Sequence, residues 1–170
     1  MHLLKKGDLI GVVAPGSTAP REILEKGINA VERMGFKIKL GEHIFDMTGH
    51  TAGTPEDRAA DINNFFFDQN IKAIITVRGG YNCNQVLPYL DYELIKRNPK
   101  IFLGLSDVTA ILNGIASRAE IITFHGPGLL MIGGGKDGKA FSQYSRENFK
   151  NILMGKKRKN INLVNASDNW

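Results

Sequence analysis

Two periodicities of apolar residues divide the chain into strands and helices. The sequence predicts strands at residues 9–14, 36–40, 71–77, 121–124 and from 101 to the turn at 104–107. Residues 9–14 are a continuous apolar run closed by Pro-Gly-Ser, as expected of a strand buried on both faces. Apolar residues at helical spacing predict helices over residues 20–34, 54–69, 85–90, 92–97, 108–118 and 142–154. A further strand is expected at residues 160–164. The alternation predicts an α/β fold: a doubly wound, mainly parallel sheet with helices on both faces.

Two helices carry start signals. Pro20 suits the first turn of the first helix, which Gly35 ends. Thr54 is a suitable N-cap for the second long helix, because Pro55 and two acidic residues follow it. These signals support the helix assignments independently of the apolar pattern.

Polar or glycine-rich turns follow four of the predicted strands. They are residues 15–17 (Pro-Gly-Ser), residues 78–80 (Arg-Gly-Gly), Ser106 and residues 125–127 (His-Gly-Pro). In a parallel sheet the carboxyl ends of the strands lie at one edge, which is where ligands bind. The sequence therefore predicts that these four turns share one rim.

The turn at residues 104–107 (Gly-Leu-Ser-Asp) has two interpretations. A serine on a tight strand-to-helix turn has an exposed hydroxyl, and the amides of the next helical turn point to the place where an oxyanion would form. The α/β-hydrolase elbow, however, is Gly-x-Ser-x-Gly, and Val108 stands at the second glycine position. Serine is also a preferred helix N-cap. The local sequence alone favours the cap over the nucleophile for Ser106.

The length and charge of the chain restrict its organisation. A chain of 170 residues suffices for one well-cored domain with a tail, not for two full α/β domains. The net charge of +5 comes partly from a basic run at residues 156–159. No aromatic residues interleave with this run, so it indicates a solvated linker rather than a nucleic-acid site. We expect one α/β domain over residues 1–155 and a basic linker over 156–170.

The cysteine content and the N-terminus indicate the compartment. Cys83 is the single cysteine, which excludes an internal disulfide and fits a reducing cytoplasm. The N-terminus lacks the apolar core of a signal peptide, and no apolar run reaches membrane-spanning length. The expectation is a cytoplasmic protein with no membrane partner.

Two other groups of residues have weak chemical signatures. His43, Asp46 and His50 are potential metal ligands, but no predicted helix places them on one face, and we expect no metal site. Residues 133–138 fit the dinucleotide pattern Gly-x-Gly-x-x-Gly, and the stretch through Lys139 fits most of a phosphate-binding loop. Ala140 stands where that loop needs serine or threonine, and no strand precedes the glycines. A glycine-rich loop without a nucleotide cofactor is the expectation.

Several sequence blocks occur in an order typical of a known family. They are Gly-Asp-Leu-Ile-Gly-Val-Val-Ala-Pro at 7–15, Arg-Ala-Ala-Asp at 58–61, Arg-Gly-Gly-Tyr at 78–81, Leu-Pro-Tyr-Leu-Asp-Tyr at 87–92, Pro-Lys at 99–100 leading to Gly-Leu-Ser-Asp at 104–107, and His-Gly-Pro at 125–127. Together they resemble the L,D-carboxypeptidase family of serine peptidases, which includes the microcin C immunity peptidases. The resemblance implies a flavodoxin-like, or class I glutamine amidotransferase-like, N-terminal domain.

The resemblance also implies roles for the rim residues. Ser106 is the implied nucleophile, and the backbone amides of Asp107 and Gly80 are the implied oxyanion donors. The residues implied to contact substrate are Gly79, Tyr81 and Asn82. In the family a C-terminal domain supplies the histidine and glutamate of the triad, so we expect residues 156–170 to lead into that domain and this chain alone to have little activity. His125 is implied to belong to a structural turn, hydrogen-bonded at a strand end.

The substrate implied by the resemblance is a small peptide. Family members release D-alanine from a cytoplasmic murein tetrapeptide, need no cofactor and form homodimers. Many members have glycine after Gly-Gly-Tyr, whereas this chain has Asn-Cys-Asn at residues 82–84. That stretch looks closer to the immunity branch, which cleaves an aminoacyl-nucleotide amide, while residues 125–127 favour the carboxypeptidases.

Two further interpretations stay open from the sequence. Cys83 is an alternative nucleophile, because it lies near the start of a short helix after a strand, where helix-end amides favour a thiolate. A non-catalytic binding module is the other, holding a flavin or nucleotide phosphate at the strand-end glycines or nucleic acid with the basic run. Fold alone does not separate these functions.

Overall fold

A computed structural model of the chain describes residues 3–134 and 143–156, in which strands and helices alternate. The strands are β1 (Leu9–Val13), β2 (Lys37–Leu40), β3 (Ile71–Thr76), β4 (Ile101–Gly104) and β5 (Phe124–His125). The α-helices are α1 (Arg21–Arg33), α2 (Pro55–Phe67), α3 (Tyr92–Arg97), α4 (Thr109–Arg118), α5 (Leu129–Ile132) and α6 (Gln143–Leu153). Two 3₁₀ helices span Cys83–Tyr89 and Ser106–Val108.

All five strands are parallel and form one sheet in the order β2-β1-β3-β4-β5. The chain first adds β2 on one side of β1 and then crosses to add β3 on the other side. This reversal of direction makes a crevice at the carboxyl ends of β1 and β3, the place where ligands bind in such sheets. The predicted doubly wound α/β fold is confirmed.

Helices bury both faces of the sheet. On one face α1, α5 and α6 pack against alternate strand residues, with Leu24 and Leu129 fully buried. On the other face α2, α3, α4 and the first 3₁₀ helix pack, and the ring of Phe66 stacks on Phe102 with centroids 6.0 Å apart. Each fully buried large apolar side chain contributes roughly 1.5–3 kcal/mol. Strands β1, β3 and β4 are thus covered on both sides, whereas β2 at the edge of the sheet is only partly buried.

Helix α2 is fixed at both ends by specific contacts. At its start Thr54 and Asp57 form a capping box, in which the Thr54 Oγ1 accepts from the Asp57 amide and the Asp57 carboxylate accepts from the Thr54 amide. At its end the buried ammonium of Lys100 donates to the carbonyl oxygen of Phe65, at 2.8 Å, and to that of Asp68. The helix ends at Phe67, two residues before the predicted boundary.

The main departure from the predicted elements is the fifth strand. Residues 121–124 were expected to form it, but β5 contains only Phe124 and His125 and pairs with the end of β4. The side chain of Ile122 is 68% exposed, so the apolar run there is not a buried strand. A smaller difference concerns Pro20, which is the N-cap of α1 rather than a residue of its first turn.

Some predictions concern residues outside the described part of the chain. These are the strand at 160–164, the linker beyond Lys156 with most of the basic run, and residues 135–138 of the glycine stretch. Gly133 and Gly134 form a turn after α5. None of the described helices is long and apolar enough to cross a lipid bilayer.

Candidate active site

The turns after β1, β3 and β4 meet at the carboxyl edge of the sheet. A Cβ placed on Gly16, after β1, would lie 3.1 Å from the carbonyl oxygen of Gly79, after β3. A Cβ on Gly79 would in turn lie 2.8 Å from the Cβ of Ser106, after β4. Approaches this close exclude side chains at both glycines. The turn after β5 joins the same edge, because the amide of Gly126 donates to the carbonyl oxygen of Gly104 at 2.9 Å.

Ser106 has a left-handed backbone conformation, with a φ of +60°. For a residue with a Cβ this conformation costs roughly 1–2 kcal/mol. The N-cap position before the 3₁₀ helix belongs to Leu105, which has extended backbone and no side-chain cap bond. The interpretation of Ser106 as an ordinary N-cap is therefore wrong. A strained serine between a buried strand and a helix is the arrangement of a nucleophile elbow.

Gly104 allows the chain to turn at Ser106 without the second glycine of the hydrolase pattern. A Cβ on Gly104 would lie 2.6 Å from Cγ1 of Val108 and 2.8 Å from Oγ1 of Thr76. Val108 itself is fully buried. Val108, which replaces the second glycine of Gly-x-Ser-x-Gly, thus packs under the elbow. The absence of a side chain at Gly104 leaves room for the Val108 side chain.

Gly80 and Asp107 carry the amides that were predicted to stabilise an oxyanion. Within residues 3–134 and 143–156, neither amide donates a hydrogen bond to a protein acceptor. Gly80 has a φ of +133°, and a Cβ there would lie 2.6 Å from both the nitrogen and the Oγ of Ser17, so only glycine fits. Both amides are available to a ligand, and their role as oxyanion donors stays a prediction.

A pocket of about 310 Å³ opens beside Ser106. It is lined by Arg78, Gly79, Gly80, Leu105, Ser106, Gly128, Leu130 and Met131. Gly79, which was predicted to contact substrate, is therefore part of this pocket. Of the other two residues in that prediction, Tyr81 is 72% exposed, and Asn82 belongs to the network around Arg58.

Arg58 is the largest fully buried side chain and is only 2% exposed. Its Nη1 donates to the carbonyl oxygens of Pro15, at 2.6 Å, and Asn82, at 3.1 Å. Its Nη2 donates to Oε1 of Gln85 at 3.1 Å, and its Nε to the carbonyl oxygen of Thr54 at 3.2 Å. All these acceptors are neutral, and burial lowers the pKa of the guanidinium. One buried cation thus ties the turns after β1 and β3 to helix α2.

The peptide unit between Asn82 and Cys83 is held from both sides. Its carbonyl oxygen accepts from Arg58, and its amide donates to Oδ2 of Asp107 at 2.8 Å. Asn82 has a φ of +65°, which asparagine tolerates better than most residues. We call this arrangement of Arg58, the Asn82–Cys83 peptide and Asp107 the peptide clamp. It connects the glycine turn after β3 to the residue next to Ser106.

The sequence did not reveal the peptide clamp. Arg58 was singled out only within the block at residues 58–61, and Asp107 only for its backbone amide. An arginine one residue after Glu56 and Asp57 in the first turns of a helix normally indicates a solvated surface. The block itself was the available signal, because Asp61 from the same block is also buried and accepts from the Glu42 amide at 2.9 Å. Burial raises the pKa of that carboxyl group.

The structure argues against Cys83 as the nucleophile. Its thiol is fully buried, and burial, reinforced by the neighbouring Asp107 carboxylate, raises the pKa above that of an ordinary cysteine. A cysteine nucleophile needs an accessible thiolate. Cys83 instead fills the space beneath Gly16, whose Cβ position would be 2.9 Å from the sulfur.

None of the histidines in the described part of the chain forms a hydrogen bond with Ser106. His125 is exposed at the end of β5, and its ring forms no hydrogen bond with another described residue, so the expected bonded histidine is not observed. His43 bonds through Nδ1 to the Asp46 carboxylate at 2.8 Å, which raises the pKa of the histidine. The third potential ligand near this pair is Asp57 rather than His50, and the Asp57 carboxylate already caps α2.

Comparison with known proteins identifies relatives of this region. A family model described as the LD-carboxypeptidase N-terminal domain matches residues 10–126. The probable murein peptide carboxypeptidase of Bacillus subtilis is 36% identical over 124 residues, which are 73% of this chain and 39% of that protein. The microcin C7 self-immunity protein MccF of Escherichia coli is 37% identical over 130 residues, or 75% of this chain and 38% of that protein.

A solved structure supports the same relationship. MccF in complex with aspartyl sulfamoyl adenosine matches with a TM-score of 0.83 and 32% identity, over 93% of this chain and 47% of that chain. The chain therefore spans less than half the length of these relatives. Since the family match extends from β1 to the turn after β5 and includes the elbow, the chain belongs to the LD-carboxypeptidase family.

Proposed function

We propose that this chain is the nucleophile-bearing N-terminal domain of a cytoplasmic serine carboxypeptidase that cleaves the amide bond to a terminal D-amino acid in murein peptides. The observation that carries the proposal is the elbow. Ser106 is held at a φ of +60° at the end of a buried parallel strand, packed against the Gly79 turn. Structural strain of this kind concentrates at functional sites.

In this proposal the Oγ of Ser106 attacks the carbonyl carbon of the scissile amide as its proton passes to a general base. The amides of Gly80 and Asp107 donate to the oxyanion of the tetrahedral intermediate. The intermediate then collapses, the C–N bond breaks, and the base returns the proton to the leaving amine. Water hydrolyses the acyl-serine ester by the same steps and releases the shortened peptide.

The general base and the acid that orients it are proposed to lie outside this chain, in a second domain that follows residues 156–170. Two observations support this. The carboxylate of Asp107 is already engaged by the amide of Cys83, and none of the histidines in the described ranges bonds to Ser106. The chain also covers only 38–39% of the two curated relatives, and the matching family model is an N-terminal domain.

The test compares this chain alone with the same chain fused to the carboxyl-terminal part of the Bacillus subtilis relative, here called the extended protein. Release of D-alanine from a murein tetrapeptide is measured. We expect turnover by the extended protein, at least about 1,000-fold slower release by the short chain, and loss of release in extended Ser106→Ala. Unchanged release in Ser106→Ala would refute the proposed nucleophile, and normal turnover by the short chain would refute only the division into domains.

A peptidyl- or aminoacyl-nucleotide substrate is the second candidate, and MccF bound to aspartyl sulfamoyl adenosine is the observation that favours it. The Asn-Cys-Asn stretch supports it less than the sequence suggested. Asn82 occupies a left-handed position in which glycine and asparagine are both suited, so the exchange preserves backbone geometry. Incubating the extended protein separately with the tetrapeptide and with an aminoacyl sulfamoyl adenosine distinguishes the two candidates.

A further inference from the structure

Arg78 lines the pocket beside Ser106, and no acidic group among the described residues forms an ion pair with it. It lies two residues after the end of β3, is exposed, and lines the pocket together with Ser106. Across the described ranges its guanidinium makes no hydrogen bond, ion pair or ring contact. An arginine side chain carries a positive charge and five N–H donors in a planar arrangement. The pocket is therefore lined by a positively charged residue and by Gly80, whose amide is not engaged by a described acceptor.

The backbone that carries Arg78 is held rigidly. The amide of Val77 donates to the carbonyl oxygen of Val13 at 2.8 Å, and the carbonyl oxygen of Val77 accepts from the amide of Leu130 at 3.0 Å. A Cβ on Gly128 would lie 2.9 Å from the Val77 oxygen and 3.3 Å from the Cα of Arg78. The start of α5 is thus packed directly against this backbone, and the charged group is attached to a fixed point.

The rest of the pocket wall is apolar. Leu105, Leu130 and Met131 form it, and the volume is about 310 Å³, the lower end of the range for small-ligand sites. A cation beside a small apolar chamber suits an amino acid that has a free carboxylate and a small side chain. Arginine binds carboxylates through two parallel hydrogen bonds, which fixes orientation as well as position.

We propose that Arg78 binds the terminal α-carboxylate of the amino acid that is released, and so selects the last amide bond of a peptide for attack by Ser106. The orientation of the substrate in this inference rests on the proposed function. The carboxylate binding does not, because it follows from the pocket and the charge. Arg78 is then the residue that makes the site an exopeptidase site.

Binding is tested without turnover, by titrating the 170-residue chain with N-acetyl-D-alanine and recording ¹H–¹⁵N spectra. We expect shifts of the Arg78 side-chain N–H and of the Gly80 and Asp107 amides. The dissociation constant should rise about tenfold or more in Arg78→Gln, because a charge-assisted hydrogen bond is lost, and less in Arg78→Lys. N-acetyl-D-alaninamide, which lacks the negative charge, should bind wild type as weakly as N-acetyl-D-alanine binds Arg78→Gln.

Arg97→Gln is the matched control, because Arg97 ends α3 at the opposite edge of the sheet. Its dissociation constant for N-acetyl-D-alanine should equal that of wild type. Equal binding of the acid and the amide, unchanged binding in Arg78→Gln, or no shift in wild type would overturn the inference. Each variant's spectrum reports its own folding. The outcome is independent of the Ser106→Ala assay, so carboxylate binding by Arg78 and acyl transfer by Ser106 are tested separately.

Discussion

The two ends of helix α2 each hold a buried cation, but the two cations have different surroundings. Lys100, 6% exposed, donates to carbonyl oxygens in and just beyond the last turn of the helix, where the helix dipole is negative. Arg58, 2% exposed, lies in the first turns, where the dipole is positive and disfavours a cation. Three of its four acceptors belong to residues outside the helix and its cap.

The difference indicates that the Lys100 contact stabilises α2, whereas the Arg58 contacts position the turns around Ser106. Lys100 bonds to carbonyls that the helix end leaves without partners, so the benefit to α2 explains its burial. The stability of α2 does not explain why Arg58 is buried in the first turns, because a cation near the other end of the helix would interact more favourably with the helix dipole. Its acceptors are instead the turns that surround Ser106. We infer that the carboxyl edge of the sheet is arranged for the site, and the amino edge for stability.

The largest expected effect that tests this comparison comes from Ser106→Gly. It removes the proposed nucleophile and relieves a left-handed conformation, so extended Ser106→Gly should lose at least about 1,000-fold in D-alanine release while its free energy of unfolding rises by up to about 1 kcal/mol. Chemical denaturation measures the second quantity.

The matched control for Ser106→Gly is Glu120→Gly, which relieves a φ of +58° after α4 at the other edge of the sheet. Its ion pair with Lys96 is exposed and contributes little. Glu120→Gly should therefore leave D-alanine release unchanged. A destabilised Ser106→Gly, or a slow Glu120→Gly, would contradict the division of the sheet into a site edge and a stability edge.

The next largest effect is expected from the paired substitutions Arg58→Met and Lys100→Met in the extended protein. Loss of the peptide clamp displaces the Gly79–Gly80 turn relative to Ser106, and misplacement of about 1 Å can lower kcat about 100-fold. Arg58→Met should therefore lower kcat more than it raises KM, and should lower the free energy of unfolding by about 3 kcal/mol through unpaired carbonyls. Arg58→Lys should restore part of kcat.

Lys100→Met should lower stability by about 1–2 kcal/mol, since it leaves two helix-end carbonyls without a donor, and kcat should stay at the wild-type value. Steady-state kinetics with urea unfolding of the same variants measures both quantities. If Arg58→Met lowered stability alone, or if Lys100→Met lowered kcat equally, the two cations would have the same structural role.

The fold was predictable because its signals are local. The run at residues 9–14 is apolar without interruption, and the run at 71–77 is interrupted only by Lys72 and Thr76, a pattern typical of strands covered on both faces. The cap at Thr54 lies within four residues of its partner Asp57. The apolar pattern predicted the wrong bounds at residues 121–124. These residues are mostly apolar, but only Phe124 belongs to the strand, which continues to His125.

The site was predictable only in part, because its geometry depends on residues distant in the chain. Ser106 was found as a candidate, but the sequence of the turn shows neither its φ of +60° nor its close approach to Gly79, which is distant in the chain. The local sequence does not show that Arg58 is buried, because two of its acceptors, the carbonyl oxygens of Pro15 and Asn82, are 43 and 24 positions away.

A last test of the comparison, in which no change in kcat is expected, concerns the protonation of Lys100. Burial lowers the pKa of its ammonium from 10.5 to about 8. Between those two values the unfolded chain binds the proton more tightly than the folded chain, so the free energy of unfolding rises with pH. The cost of the buried charge is present in full below pH 8 and disappears as the pH reaches 10.5.

The neutral amine still donates to the carbonyl oxygens of Phe65 and Asp68, so deprotonation removes the charge without breaking the contact. The stability advantage of wild type over Lys100→Met should therefore widen between pH 8 and pH 10, by at most about 3 kcal/mol. Urea unfolding of both proteins across that pH range gives the difference between their free energies of unfolding. The titration of the other lysines affects both proteins equally and cancels in this difference. If this difference in the free energy of unfolding narrowed instead, the ammonium charge itself would stabilise the end of α2. The contrast between Lys100 and Arg58 would then depend on their charges and not on the hydrogen bonds that they donate.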